Sequence, residues 1–379
     1  MISSRREERE LQSLHREAMH LMSLRDSDRT LESVKLLHVK AKKSNSLKFL
    51  GASFGIKGYV YYGLNEPKLA IDNFEKSLEH YSKNLDIFFD EIKQTKNSLG
   101  ILYKNIGEFK KALEVLFDSI KISEKFNIIN SIAYNNIATI YLSQKNYKKA
   151  LQFYQQAIEE ESNAESPNRR QIIMFLSNIA GLYTRIGNFE EADKIFRKSY
   201  EFCEENNELE SLIISLKGLG ILSIERKDFD NAENFLNRAI TLSRDIEYSL
   251  PLIDLSLYLA EVYEQTQRSS MQLNSLKYAL KIAQESYKAK EILVYEQLHD
   301  YYYNHGNINE AYEILKVMFT LNKQNFLKEK EENLLELQEK FESENKDKLI
   351  KQEKEFSDTL KEKNQKLAEL NDDLAQFNH

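Results

Sequence analysis

From residue 51 onward the chain alternates apolar stretches with short polar breaks, and one arrangement of positions returns five times. A small residue is followed twelve positions later by an alanine: Gly58 by Ala70, Gly100 by Ala112, Ala138 by Ala150, Ala180 by Ala192 and Gly220 by Ala232. Successive alanines lie 42, 38, 42 and 40 residues apart. Three residues after each small position stands Tyr61, Tyr103, Tyr141 or Tyr183, with Ser223 as the variant. Between small residue and alanine falls a polar break, such as Gly107-Glu108, Gln144-Lys145-Asn146, Gly187-Asn188 or Arg226-Lys227-Asp228, followed at once by Phe109, Tyr147, Phe189 or Phe229. A small residue in each of two helices lets their backbones approach, while tyrosine and the downstream Phe or Leu fill the flanking groove. The pattern predicts antiparallel helical hairpins with a period near 40.

Composition narrows the fold class further. Only 11 Gly and 3 Pro occur in 379 residues, too few to cut the frequent turns of sandwiches, barrels or doubly wound sheets, so an all-α chain is expected. A hydrophobic content of 41% against 30% charged residues supplies an extended core. The formal charge of −7 gives no overall electrostatic footprint for nucleic acid or anionic lipid. No uncharged run approaches the length of a spanning helix, and the first ten residues reach no apolar leader segment. With Cys203 as the single cysteine, neither an intrachain disulfide nor a cysteine zinc site can form. A cytoplasmic protein without membrane or nucleic-acid partners is the expectation.

The small, tyrosine and alanine positions in this order resemble the tetratricopeptide repeat. With alanine at repeat position 20, units begin at Gly51, Lys93, Ser131, Ile173 and Ile213. Two weaker units begin at Ile253, with Gln272 at the alanine position, and at Ile292, with His299 at the small position. Leu11 to Leu50, through Leu14, Ala18, Leu21, Val34 and Leu37, reads as a degenerate capping hairpin. The resemblance implies an α-solenoid, a right-handed superhelix of hairpins: residues 1–50 as cap, 51–325 as an array of about seven repeats, and 326–379 as a coiled-coil dimerisation helix. The spacing near 40 and the missing helix-end prolines imply longer helices than the usual 34-residue repeat.

After Phe326 the chain turns to Lys, Glu, Gln and Asn with widely spaced apolar residues. Leu360, Leu367, Leu370, Leu374 and Phe377 fit alternating a and d positions, interrupted at Lys363, and predict a parallel homodimer through the coil. The last ten residues, Leu370 to His379, look like the segment leading into the dimerisation helix of sensor histidine kinases, and stop before the phosphoacceptor motif. This resemblance implies the sensory and dimerisation region of a histidine-kinase-like signalling protein. A non-enzymatic scaffold and a peptide-pheromone-responsive regulator are the alternatives.

No phosphate-cradling loop, nucleophile elbow or His-Glu-x-x-His is present, so no catalytic residue, metal or cofactor is expected within these residues. His15, His20 and His38 match no metal spacing and read as surface histidines of the capping hairpin, while Cys203 reads as a packed or half-exposed thiol. In the tetratricopeptide family the concave face is lined by the first helix of each hairpin. Carried onto this chain, that places Gln94, Asn97, Lys104, Asn135, Asn136, Thr139, Asn178 and Lys217 in a groove for a protein or peptide, with Tyr59, Tyr62 and Thr184 beside them. Carboxamides can donate to and accept from a peptide backbone at once, and the lysines can hold a carboxylate. Asp254, Glu261, Glu264, Glu296 and Asp300 make the far end of the groove acidic.

Overall fold

The computed structural model describes residues 2–324, 326, 327 and 330. Their regular structure is entirely helical, without a strand among the described residues. The chain divides into two compact units, Met1–Met318 and Phe319–His379; the candidate coil positions Leu360, Leu367, Leu370, Leu374 and Phe377 lie outside the described residues.

The first unit is a series of helical hairpins. α1 (Ile2–Ser23) pairs with α2 (Ser27–Lys43), α3 (Leu47–Gly63) with α4 (Pro67–Tyr81), and α5 (Leu85–Asn105) with α6 (Phe109–Phe126). α7 (Ser131–Ser143) pairs with α8 (Tyr147–Ser162), α9 (Arg169–Arg185) with α10 (Phe189–Glu205), and α11 (Leu209–Glu225) with α12 (Phe229–Asp245). α13 (Leu250–Gln265) pairs with α14 (Ser269–Ser286), and α15 (Glu291–Asn304) is followed by helical backbone from residue 308.

Extra helical turns account for the period. α3, α9 and α11 each begin four residues before the repeat starts expected at Gly51, Ile173 and Ile213. α5 has 21 residues and lengthens the interval from Ala70 to Ala112, whereas α7 has only 13 and shortens the next one.

The breaks between helices share one construction. The N–H groups of Glu66, Glu108, Asn146 and Asn188 donate back to the carbonyls of Tyr61, Tyr103, Tyr141 and Tyr183 at 2.8–2.9 Å. The residue before each donor is left-handed: Asn65, Gly107, Lys145 and Gly187, with φ of 62°, 83°, 58° and 77°. Each closure is therefore a Schellman turn, with the repeat tyrosine supplying the accepting carbonyl. Asn146, Asn188 and Asp228 then cap the next helix by accepting from the N–H of Lys149, Glu191 and Asn231. Because Asn, Lys and Gln occupy several left-handed positions, the chain forms these turns with few glycines.

Ala70, Ala112, Ala150, Ala192 and Ala232 are fully buried. Each small residue of the first helix faces the large residue one turn beyond the alanine: a Cβ on Gly58, Gly100 or Gly220 would come within 3 Å of Phe74, Leu116 or Leu236. Tyr154 and Phe196 fill the same register against Ala138 and Ala180. Phe196 is pinned from both sides, since a Cβ on Gly218 of the next hairpin would strike its ring.

The N-terminal hairpin buries Leu11, Ala18, Leu21, Val34 and Leu37. Its histidines depart from the surface expectation: His15 packs edge-on to Phe49 and His38 edge-on to Phe54, leaving His20 exposed. Cys203 is fully buried, and burial pushes its thiol up. The first unit curves until its first and seventh hairpins meet, where the Arg25 guanidinium stands 3.9 Å from the centre of the Tyr287 ring.

Candidate functional site

First helices touch along the array, α5 with α7, α9 with α11 and α11 with α13. Elements that approach their second neighbours lie on the compressed side of a curved stack, so the first helices form its inner face.

On that face Asn178 of α9 donates Nδ2 to Asn135 Oδ1 of α7 at 2.8 Å, joining two repeats through their carboxamides. Asn136, next along α7, is 7% exposed and its Nδ2 has no hydrogen-bond partner within the protein. A buried amide N–H without an acceptor is costly and uncommon, so this donor is the most informative polar atom of the face. Lys104 and Lys217 are half-buried and pair with no carboxylate among the described residues; burial holds the Lys104 ammonium below the usual lysine range. At the α13 end, burial and the carboxylates of Glu225 and Glu264 push the Glu261 carboxyl up. Asp254, also expected at this acidic end, is neutralised by Lys290 at 2.8 Å.

Most of the remaining positions are engaged within the protein. Asn97 is buried: its Nδ2 donates to Asn130 Oδ1 at 2.7 Å and its Oδ1 accepts from Ser119 Oγ at 2.9 Å, while Asn130 Nδ2 donates to Ser119 Oγ at 2.9 Å. This closed triangle ties α5 and α6 to the start of α7 and engages both polar atoms of the Asn97 carboxamide within the protein. Gln94 is exposed and donates to Asp90 at 2.7 Å. The hydroxyls of Thr139 and Thr184 donate to carbonyls of their own helices, Asn136 and Ala180. Tyr59 is exposed and its hydroxyl lies 3.0 Å from Ser98 Oγ, while Tyr62 is 45% exposed.

Sequence reasoning missed Asn130, Ser119 and Glu161. Buried Glu161 accepts from Ser131 Oγ and, at 2.9 Å, from the backbone N–H of Asn168, securing the connection between α8 and α9. Ser119 is seven residues beyond Ala112, as Ser77 is beyond Ala70, and that recurrence was the available signal.

The tetratricopeptide repeat family matches residues 131–163 and residues 170–245. The array is a tetratricopeptide-type α-solenoid. The structure of apo RapI superposes with a TM-score of 0.56 at 15% identity, covering 73% of this chain and 98% of that one. A Rap protein complexed with competence and sporulation factor gives 0.52 at 13% identity, covering 84% and 98%. NprR in complex with its cognate peptide NprX gives 0.50 at 16%, covering 82% and 88%. At these identities the likeness is one of fold. Among curated proteins none matches the sequence. No helix among the described residues is long and apolar enough to cross a membrane.

Proposed function

We propose that this chain is a cytosolic peptide-responsive regulator that holds an extended peptide against the inner face of its solenoid. The unsatisfied donor of Asn136, beside the Asn135–Asn178 bridge, carries the reading. A peptide carbonyl laid along α7 would give Asn136 Nδ2 its acceptor, and a carboxylate on the same ligand would meet Lys104 or Lys217. Peptide complexes among proteins of the same fold support this choice over a plain scaffold. The histidine-kinase-like context rests on residues 370–379, outside the described residues, and draws nothing from the matched folds. The coil after Phe326 is proposed to make the parallel homodimer through which a bound peptide changes the output.

Panning a random-peptide display library on the full chain tests the reading. Enriched peptides should bind wild type and lose about tenfold or more in affinity to Asn136→Ala, with Asn178→Ala weaker than wild type. Enriched peptides that bind the folded Asn136→Ala protein undiminished would move the site off this face.

A further inference from the structure

A cleft of about 340 Å³ opens between α9 and α10, walled by Ile172, Leu176, Ile195 and Phe202. This hairpin is the loosest of those from α3 to α14. Its neighbours show what has come apart. Ser77 Oγ donates to the carbonyl of Gly51 at 2.8 Å, and Ser119 Oγ, whose proton goes to Asn97 Oδ1 at 2.9 Å, stands 3.2 Å from the carbonyl of Lys93, each contact drawing second helix to first. Ser199 occupies the same register, seven residues after Ala192, and the corresponding carbonyl is that of Ile173. That bond is absent: Ser199 is 5% exposed, lines the cleft, and its hydroxyl has no partner.

The cleft is polarised along its length. In this antiparallel pair, Leu176 and Ile195 stand toward the hairpin turn, Ile172 and Ser199 in the middle, and Arg169 and Phe202 at the open end. From Phe202 to Ile195 is about 10 Å at the helical rise per residue. Lys198 lines the middle, and Arg169 lies over the Phe202 ring at 5.8 Å. Neither cation pairs with a carboxylate among the described residues. The open end and the middle together thus offer two positive charges and one buried hydroxyl, and the inner end offers only aliphatic surface.

We propose that the α9–α10 cleft is a second binding site, for a small anionic amphiphile of the medium-chain carboxylate class. The carboxylate sits between Arg169, Lys198 and the Ser199 hydroxyl, with the aliphatic tail against Leu176 and Ile195. Charge-assisted bonds to a planar guanidinium and an ammonium supply selectivity for the anion, and removal of tail and walls from water supplies affinity. This site is separate from the inner face, since Asn178 is turned roughly 200° around α9 from Leu176 at 3.6 residues per turn.

Titration calorimetry of the full chain with decanoate, decylamine and decanol, all kept below micelle formation, tests the proposal. Decanoate should bind saturably, decylamine not at all and decanol weakly. Arg169→Gln combined with Lys198→Gln should cost about tenfold or more in decanoate affinity, the loss expected for charge-assisted bonds. Ser199→Ala is a variant that folds, because Ala157 and Ala239 stand at that register in neighbouring hairpins; it should be no less stable than wild type yet bind decanoate several-fold more weakly. Asn136→Ala with Asn178→Ala should bind decanoate as wild type does, whatever happens to peptide binding. Equal affinity for decylamine, unchanged binding in the double glutamine variant, loss of decanoate in the asparagine variant, or occupation of the cleft by an apolar peptide in place of decanoate would each overturn it.

Discussion

Asn178 Nδ2 donates to Asn135 Oδ1 at 2.8 Å, joining first helices whose residues are 43 positions apart. Asn136, rather than Asn135, shares the repeat register of Asn178, yet the side chains cross by one position to meet. The bridge engages Asn135 Oδ1, while the buried Nδ2 of Asn136 has no partner within the protein. Asn135→Ala and Asn178→Ala should each destabilise the array, with a coupling of about 1 kcal/mol between them. Urea unfolding of wild type, both single variants and the double variant measures it; strict additivity would mean the bridge contributes nothing in solution.

Ala150 is fully enclosed with Ala138, Tyr154 and Leu182, so Ala150→Leu has nowhere to place three extra carbons. A loss of about 1–3 kcal/mol is expected. Hydrogen exchange should accelerate first in α7 to α10, because repeat arrays are held by nearest-neighbour interfaces. An unchanged unfolding curve would contradict the packing.

Lys145 and Lys227 hold left-handed backbone at φ of 58° and 61° with exposed side chains. Glycine carries no Cβ penalty there, so Lys145→Gly and Lys227→Gly should each stabilise by up to about 1 kcal/mol. Lys148→Gly, in the first turns of α8, should move the other way by a similar amount. Thermal melting of the three variants compares the signs.

Burial against Phe54, reinforced by Lys57 and Lys42, lowers His38 from 6.5 to about 4. His15 and His80 are lowered in the same direction, also chiefly by burial. Across this window the unfolded chain binds protons that the folded protein refuses. The contribution of His38 is therefore complete above pH 6.5, falls as pH drops toward 4, and falls no further below that. Carboxylates titrate over part of the same range, so the informative quantity is a difference. The urea midpoint of wild type should fall more steeply between pH 6.5 and 4 than that of His38→Gln, and parallel profiles would rule out His38 as the cause.

Leu367, Leu370, Leu374 and Phe377 form the uninterrupted a/d run near the chain end. Sedimentation should give a dimer for the full chain and a monomer for a chain ending at Lys323. In a Cys203→Ser background, Leu374→Cys should cross-link to its twin under mild oxidation if the pairing is parallel. A monomeric full chain would remove the coil from the proposed mechanism.

The sequence by itself determined the hairpins, because their signals act within one or two helices. The interval of twelve from small residue to alanine measures a helix end, a turn and a helix start, and the aromatic after each break marks where the second helix begins. The period near 40 was legible as helices longer than usual, whereas their unequal lengths, 21 residues in α5 against 13 in α7, came from the structure. Only the tertiary structure decided which polar side chains remain free. Asn97 and Asn136 look alike in sequence, but Ser119 and Asn130 converge on Asn97 from α6 and the loop before α7, whereas no protein acceptor reaches Asn136 Nδ2. Hydrogen-bond satisfaction depends on partners 20 to 40 residues away, placed to within a few tenths of an ångström by packing, and no local periodicity encodes that distance. The same holds for Ser199, whose register equals that of Ser77 and Ser119 and whose lost partner follows from how far one hairpin stands open.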